Sequence, residues 1–231
     1  MGYASNHQIK AVCFDIDGTF YPKWKMDVRL VRASLFHLPF ALKYNKMRKA
    51  IRKEDGYNDL PPMSYDEISK RGAMFFYGND DIKSQKKYRD NEKSILHDSY
   101  IKSYATIKSA RGVKEALDGL RSAGYRMAAL SDFPIGVKLK AMGLEEYFEK
   151  VISSEDLGHF KPSRTPFKAL IDSLKLKPEE ILYVGDSYSK DVLGSKKAGM
   201  HTCLIFSDGV KQYKEADICA SSWADFIAKV L

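Results

Sequence analysis

Ala11–Thr19 reads AVCFDIDGT. The apolar run Ala11-Val12-Cys13-Phe14 stops abruptly at Asp15-Ile16-Asp17-Gly18-Thr19. A short apolar run closed by Asp and Gly predicts a buried strand that ends in a turn. In an α/β sheet the carboxyl end of such a strand is where ligands bind. Asp15 and Asp17 then lie next to each other, and two carboxylates repel unless a cation or a proton sits between them. The competing reading is a loop with a helix cap, because Asp, Gly and Thr are common turn residues. The rest of the chain has to decide.

Working outward, 231 residues suit one large domain or two small ones. Apolar residues make up 44% and charged residues 29%, the balance of a globular chain rather than a disordered one. No stretch approaches the roughly 18 apolar residues of a membrane span. The opening MGYASNHQIK has no apolar signal-peptide core. It also carries Asn6 where a myristoylation pattern needs Ser or Thr. Cys13, Cys203 and Cys219 are odd in number and far apart, and two of them sit in apolar strand-like runs. Buried free thiols are expected, not a disulfide or metal framework. The expected location is cytoplasmic.

The net charge of +8 is unevenly spread. Residues 20–108 carry 19 basic and 11 acidic side chains, and the remainder carries 19 of each. One segment therefore holds the whole imbalance, which points to two parts with different tasks and to an anionic substrate or partner. Within it, Arg29, Arg32, Lys43, Lys46, Arg48, Lys49, Arg52 and Lys53 form a basic run. The plain reading is a solvated helix face. The functional readings are attraction of a polyanionic substrate and, after that, docking on nucleic acid or an anionic membrane.

After Thr19, Phe20-Tyr21-Pro22 breaks the strand. Val28, Val31, Leu35, Leu38 and Leu42 recur at helical spacing and predict a helix over 27–53, kinked at Pro39. A loop over 54–62 precedes a helix starting near Ser64, with Asp66 and Glu67 in its first turn. A third helix is predicted over 82–107, keeping Tyr88, Ile95, Tyr100, Ile101 and Tyr104. No strand is predicted between Tyr21 and Ser109. From Ser109 a βα rhythm begins. Helices are predicted at 112–122, 135–142, 165–174, 189–197 and 223–231, and strands at 125–130, 151–152, 181–184 and 201–206. Alternation of this kind argues a parallel sheet with right-handed crossovers. The predicted architecture is a Rossmann-like α/β core, residues 1–19 and 109–231, with an all-helical insert, 20–108, placed directly after the first strand.

Several predicted strand ends are polar, and all would share one rim of the sheet. They are Asp15-x-Asp17, then Ser131-Asp132, then Gly185-Asp186-Ser187 with Asp191 following. Lys161-Pro162 lies in the loop between the last two. Singly, each has a plain reading as a helix cap or a solvated charge. Jointly they suit phosphoryl transfer. A carboxylate can act as nucleophile. Two or three carboxylates with carbonyls and waters make an Mg²⁺ site. A Ser hydroxyl and a Lys ammonium can cradle phosphate oxygens, and a second Asp can serve as general acid and base.

In order and spacing these residues resemble the haloacid dehalogenase superfamily of phosphatases, over Ala11–Thr19 and nearly all of Ser109–Phe206. The resemblance implies that Asp15 is the nucleophile and an Mg²⁺ ligand. It implies that Asp17 is the general acid/base and binds the metal through its main-chain carbonyl. Ser131, with Asp132 beside it, and Lys161 would bind the phosphate. Asp186 would bind Mg²⁺, and Asp191 would support the metal site or pair with Lys161. The insert resembles a C1-type cap. Ser163-Arg164 stands where many relatives have Asp-Pro, and Phe20-Tyr21-Pro22 is similar to the pyrimidine-nucleotidase-like branch. The expected activity is Mg²⁺-dependent hydrolysis of a small phosphorylated metabolite. Alternatives are a sugar phosphomutase, a pyrimidine-nucleotidase-like enzyme, and a polyanion-binding protein that uses the basic insert. Oligomeric state is open.

Overall fold

The computed structural model describes residues 2–24, 28, 38–133, 135–206 and 213–231. Its centre is β1 (Ala11–Phe14), buried along its whole length. The run is apolar throughout because both of its faces are covered. Val12 and Phe14 pack into one core, shared with Trp223 and Phe226. Ala11 and Cys13 point the other way, into a second core with Phe167 and Tyr183.

Around β1 the sheet is built from β2 (Arg126–Ser131), β3 (Lys150–Ser153), β4 (Ile181–Gly185), β5 (His201–Ile205) and β6 (Ile218–Ala220). The six strands run in the order β3-β2-β1-β4-β5-β6, and every pair is parallel. All carboxyl ends therefore share one rim. The strand order reverses between β1 and β4, which opens a crevice beyond the end of β1. Phe14 is in register with Ala129 of β2 and Val184 of β4. Asp15 thus emerges beside Ser131 on one flank and Gly185-Asp186 on the other. This is the predicted α/β Rossmann-like architecture.

The helices are α1 (Tyr3–Asn6), α2 (Leu38–Asp55), α3 (Tyr65–Tyr77), α4 (Ile82–Asn91), α5 (Asp98–Tyr104), α6 (Val113–Ser122), α7 (Gly136–Met142), α8 (Arg164–Leu174), α9 (Leu193–Lys197) and α10 (Trp223–Val230). Local chemistry sets several ends. Ser64 and Glu67 form a capping box that starts α3, and Gly78 ends it at φ 74°. α1 and β6 were not predicted. Each is only three or four residues long, too short for a periodic pattern to emerge.

Between β1 and α6 the described residues form helices and loops and no strand of the sheet. The expected third helix is divided, with a π-helical segment, Glu92–His97, joining α4 to α5. The helical period expected over 27–53 is present in α2, but its inward face is not the one the leucines mark. Leu38 and Leu42 are exposed, while Tyr44, Met47, Arg48 and Ile51 are buried. The winning face meets Ile68, Gly72 and Tyr88 of the insert and the loop at Glu155 and Phe160, and its arginines reach on to Asp132. Val31 and Leu35, like Arg29 and Arg32 of the basic run, lie outside the described residues.

The insert is attached to the sheet domain on two sides. Where the chain leaves and re-enters the core, Ala110 N–H donates to Phe20 O at 2.7 Å. On the far side, residues 58–63 are strapped to residues 157–165. Arg164 N–H and Ser163 Oγ both donate to Asn58 O, at 3.0 and 3.1 Å. Thr165 Oγ1 donates to Leu60 O at 2.7 Å, and Met63 N–H donates to Leu157 O at 3.1 Å. His159 Nδ1 and Nε2 lie 2.8 Å from Asp55 Oδ2 and 3.0 Å from Pro61 O. All three cysteines are free, Cys13 and Cys203 buried. No described helix is long and apolar enough to cross a membrane.

Candidate active site

Asp15 follows β1 directly. Its N–H donates to Val184 O at 2.9 Å, so the backbone of β4 fixes where the carboxylate stands. Oδ1 accepts from Lys161 Nζ at 2.6 Å, and Oδ2 accepts from Thr19 Oγ1 at 3.1 Å. The Lys161 ammonium also donates to Asp191 Oδ1 at 2.6 Å and to Tyr183 Oη at 3.2 Å. Lys161 is only 1% exposed. Burial disfavours its charge, but Asp15 and Asp191 more than offset that and raise its pKa well above the ordinary lysine value.

Asp15, Asp186 and Asp191 form a carboxylate trio, each offering one oxygen within 4.8 Å of the others. A single ammonium does not balance three carboxylates at this spacing. Burial lifts the Asp15 carboxyl to about 7, with Lys161 pulling down and Asp191, Asp186 and Asp17 pushing up. Asp186 is raised too, by burial and then by Asp191. Asp186 Oδ1 is buried with no hydrogen-bond partner among the described residues. Gly18, at φ 103°, makes the close approach possible, since a Cβ there would stand 2.3 Å from Asp186 Oδ2. Hard oxygen donors, like charges and an orphaned oxygen together fit a divalent cation such as Mg²⁺.

Asp17 turns the other way and its carboxylate stands outside the trio. Oδ2 accepts from Ser131 Oγ at 2.6 Å, and Oδ1 accepts from the Tyr21 hydroxyl. Lys138 Nζ donates to both oxygens, at 2.7 and 2.6 Å. Burial would raise the Asp17 carboxyl, but Lys138 and hydrogen bonds from Lys138, Ser131 and Tyr21 hold it below the usual range.

Asp132 joins the insert to the site. Oδ1 accepts from Lys161 N–H at 3.0 Å, and Oδ2 accepts from Arg52 Nη2 at 2.8 Å. Arg52 Nε donates to Lys161 O at 3.1 Å, and Arg48 Nη2 donates to Asp132 O at 3.3 Å. The Arg48 guanidinium lies 3.7 Å from the ring centroid of Phe133 and 4.6 Å from that of Phe160. Burial would raise the Asp132 carboxyl, yet Arg52, Lys161 and Arg48 hold it below the usual carboxylate range. The basic run is thus split. Arg48 and Arg52 turn inward to the site, while Lys46, Lys49 and Lys53 remain a solvated face.

The family whose description is haloacid dehalogenase-like hydrolase matches residues 9–199, across β1, the insert and all three polar strand ends. The chain belongs to this family. By family it is an enzyme, a hydrolase. Among the relatives of this haloacid dehalogenase-like hydrolase is the glyceraldehyde 3-phosphate phosphatase of Methanopyrus kandleri, 29% identical over 208 residues, covering 85% of this chain and 84% of that protein. Another is the pyrophosphatase PpaX of Bacillus velezensis, 26% identical, covering 87% of this chain and 85% of that one. A solved structure, the HAD phosphatase from Thermococcus onnurineus, is 26% identical, covers 94% of this chain and 96% of its own, and superposes with a TM-score of 0.60.

The structure brings Asp15, Lys161, Asp186 and Asp191 into one cluster, and Asp17 with Ser131 into a neighbouring one. Sequence reasoning missed Lys138 entirely, and it missed the inward turn of Arg48 and Arg52. A signal for Lys138 did exist. Ile135, Lys138, Leu139 and Met142 follow the i, i+3, i+4, i+7 spacing of one helix face, so the lysine occupies an apolar stripe. Tyr183 and Thr19 also had no sequence signal beyond their place in a strand and a turn.

Proposed function

We propose that this haloacid dehalogenase-like hydrolase is an Mg²⁺-dependent phosphatase of small phosphorylated metabolites, working through a phosphorylated Asp15. The observation that carries the reading is the meeting of Asp15, Lys161, Asp186 and Asp191 at the carboxyl end of β1. In this reading Asp15 attacks phosphorus, and the bond to the leaving oxygen breaks. Asp17, which has to take up a proton against the pull of Lys138 first, gives it to that oxygen; it then takes a proton from water as the water attacks phosphorus and the Asp15–phosphorus bond breaks, which frees Asp15 and releases phosphate. Ser131 and Lys161 hold the phosphate oxygens as charge develops on them. The carboxylates of Asp15 and Asp186 and the main-chain carbonyl of Asp17 would hold Mg²⁺, with Asp191 supporting them. The ion would supply charge neutralisation between nucleophile and phosphate. The Asp132 carboxylate is engaged by Arg52 and the Lys161 N–H. We therefore assign it the placing of Lys161 and the Ser131 turn, rather than a phosphate contact.

Residues 20–108 act as the cap over the core of 1–19 and 109–231, and Arg48 and Arg52 are its inward-facing charges. Relatives named for glyceraldehyde 3-phosphate and for pyrophosphate support a small substrate. Buried free thiols support a cytoplasmic enzyme. The test is phosphate release from p-nitrophenyl phosphate with Mg²⁺ and with EDTA, followed by a screen of sugar phosphates, nucleotides and pyrophosphate. Turnover that needs Mg²⁺ and disappears in Asp15→Asn supports the reading. Undiminished turnover in Asp15→Asn, or none on any phosphate, overturns it.

A further inference from the structure

Lys138 is fully buried, with 0% of its side chain exposed, on the inward face of α7. Burying an ammonium is costly, so such a group is retained where it has a partner. Its partner is Asp17, held bidentately at 2.7 and 2.6 Å. The rings of Tyr104 and Phe133 cover the ammonium, with centroids 4.5 and 5.3 Å away. Tyr104 closes α5, the last helix of the insert. The Asp17 carboxylate is therefore gripped from three directions: Ser131 at the end of β2, Tyr21 at the start of the insert, and Lys138 under the insert's last helix.

Simple charge compensation does not account for this lysine. The Asp17 side chain is 20% exposed and already accepts hydrogen bonds from Ser131 and Tyr21. A carboxylate in partial contact with water and with two hydroxyl donors needs no buried ammonium to be tolerated. What the ammonium adds is direction, because two donated bonds fix the plane of the carboxylate as well as its position.

We infer that Lys138 is a positioning residue for Asp17, fixing the line along which Asp17 meets the leaving-group oxygen and tying that line to the insert through Tyr104. The inference rests on the proposed acid/base role of Asp17. A group of that kind is worth about 10²–10⁴-fold, and a misplacement of about 1 Å can cost about 10²-fold.

The experiment compares two substrates on the full chain with Mg²⁺. p-Nitrophenyl phosphate has a leaving group that departs without a proton, whereas glycerol phosphate needs one. Lys138→Met, Asp17→Asn, the double variant and Tyr104→Leu are measured against the parent, with thermal melting to establish folding. Lys138→Met and Asp17→Asn should each lose about 10²-fold in kcat/KM on glycerol phosphate and less than about tenfold on p-nitrophenyl phosphate, since kcat/KM reports transfer to Asp15 and not the later water step. The double variant should be no worse than Asp17→Asn, as for two residues acting as one unit. Tyr104→Leu leaves both charges in place and should show the same selective loss in weaker form, which keeps the test alive if Lys138→Met does not fold. Selective loss in Asp17→Asn with equal losses on both substrates in Lys138→Met and Tyr104→Leu overturns the positioning role alone. Absence of selectivity in Asp17→Asn overturns the acid/base reading, and this inference with it.

Discussion

Lys161 and Asp15 are joined by a 2.6 Å ion pair between two buried side chains, one arriving from the loop before α8 and the other from the end of β1. The same ammonium stands 2.6 Å from Asp191. One cation thus serves two carboxylates taken out of water. Lys161→Met should lose about 10²–10³-fold in kcat, the scale of removing one preorganised donor. It should also lose about 3–5 kcal/mol of stability without metal, because the stranded charges stay buried. Denaturant melts and steady-state kinetics check both, and a stable but inactive variant would show that the pair is not structural.

The raised Asp15 carboxyl has a definite sign in a stability profile. Its pKa goes from 3.8 to about 7 on folding, so the native state holds this proton more tightly than the unfolded chain. That contribution is present near pH 4 and is lost as pH rises towards 7. Asp15→Asn removes it. In EDTA, the Tm of the variant minus that of the parent should grow between pH 4.5 and pH 7.5, and a difference independent of pH would refute the shift.

Gly18 and Asp186 compete for one space. Alanine at position 18 would bring its Cβ to 2.3 Å from Asp186 Oδ2, at a φ of 103° that alanine resists. Gly18→Ala should therefore displace Asp186 and weaken Mg²⁺ binding about tenfold or more. The stabilisation added by Mg²⁺, about 2.7 kcal/mol for the parent at a hundredfold excess over Kd, should shrink accordingly. Thermal melts across an Mg²⁺ titration measure it.

Arg52 reaches the site through two bonds, one to Asp132 Oδ2 and one to Lys161 O. Arg52→Ala should cost about 1.5–3 kcal/mol in stability, the range for hydrogen bonds to charged groups. It should also lower kcat about tenfold or more, by loosening the seat of Lys161. A change confined to KM would instead make Arg52 a substrate contact.

What the sequence revealed follows the strength of each physical signal. AVCFDIDGT is legible because a strand covered on both faces must be apolar throughout, and because its end then turns abruptly polar. Ser131 and Asp186 are legible because the parallel sheet gathers strand ends on one rim, whereas Lys161, in a loop, is legible only through the family resemblance. The inward face of α2 is not. Leu38 and Leu42 form one helical stripe and Tyr44, Met47 and Ile51 another, and only packing against the other insert helices and the 155–160 loop selects between them. Arg48 and Arg52 look like their solvated neighbours in composition. Lys138 looks like Lys140 until its spacing with Ile135, Leu139 and Met142 is weighed. β6 is hidden by its three residues.

The strap between residues 58–63 and 157–165 makes the insert a beam resting on two supports rather than a flap on one hinge. For such a beam to lift clear of Asp15, the hydrogen bonds that tie Asn58, Leu60 and Met63 to residues 157–165 have to break first.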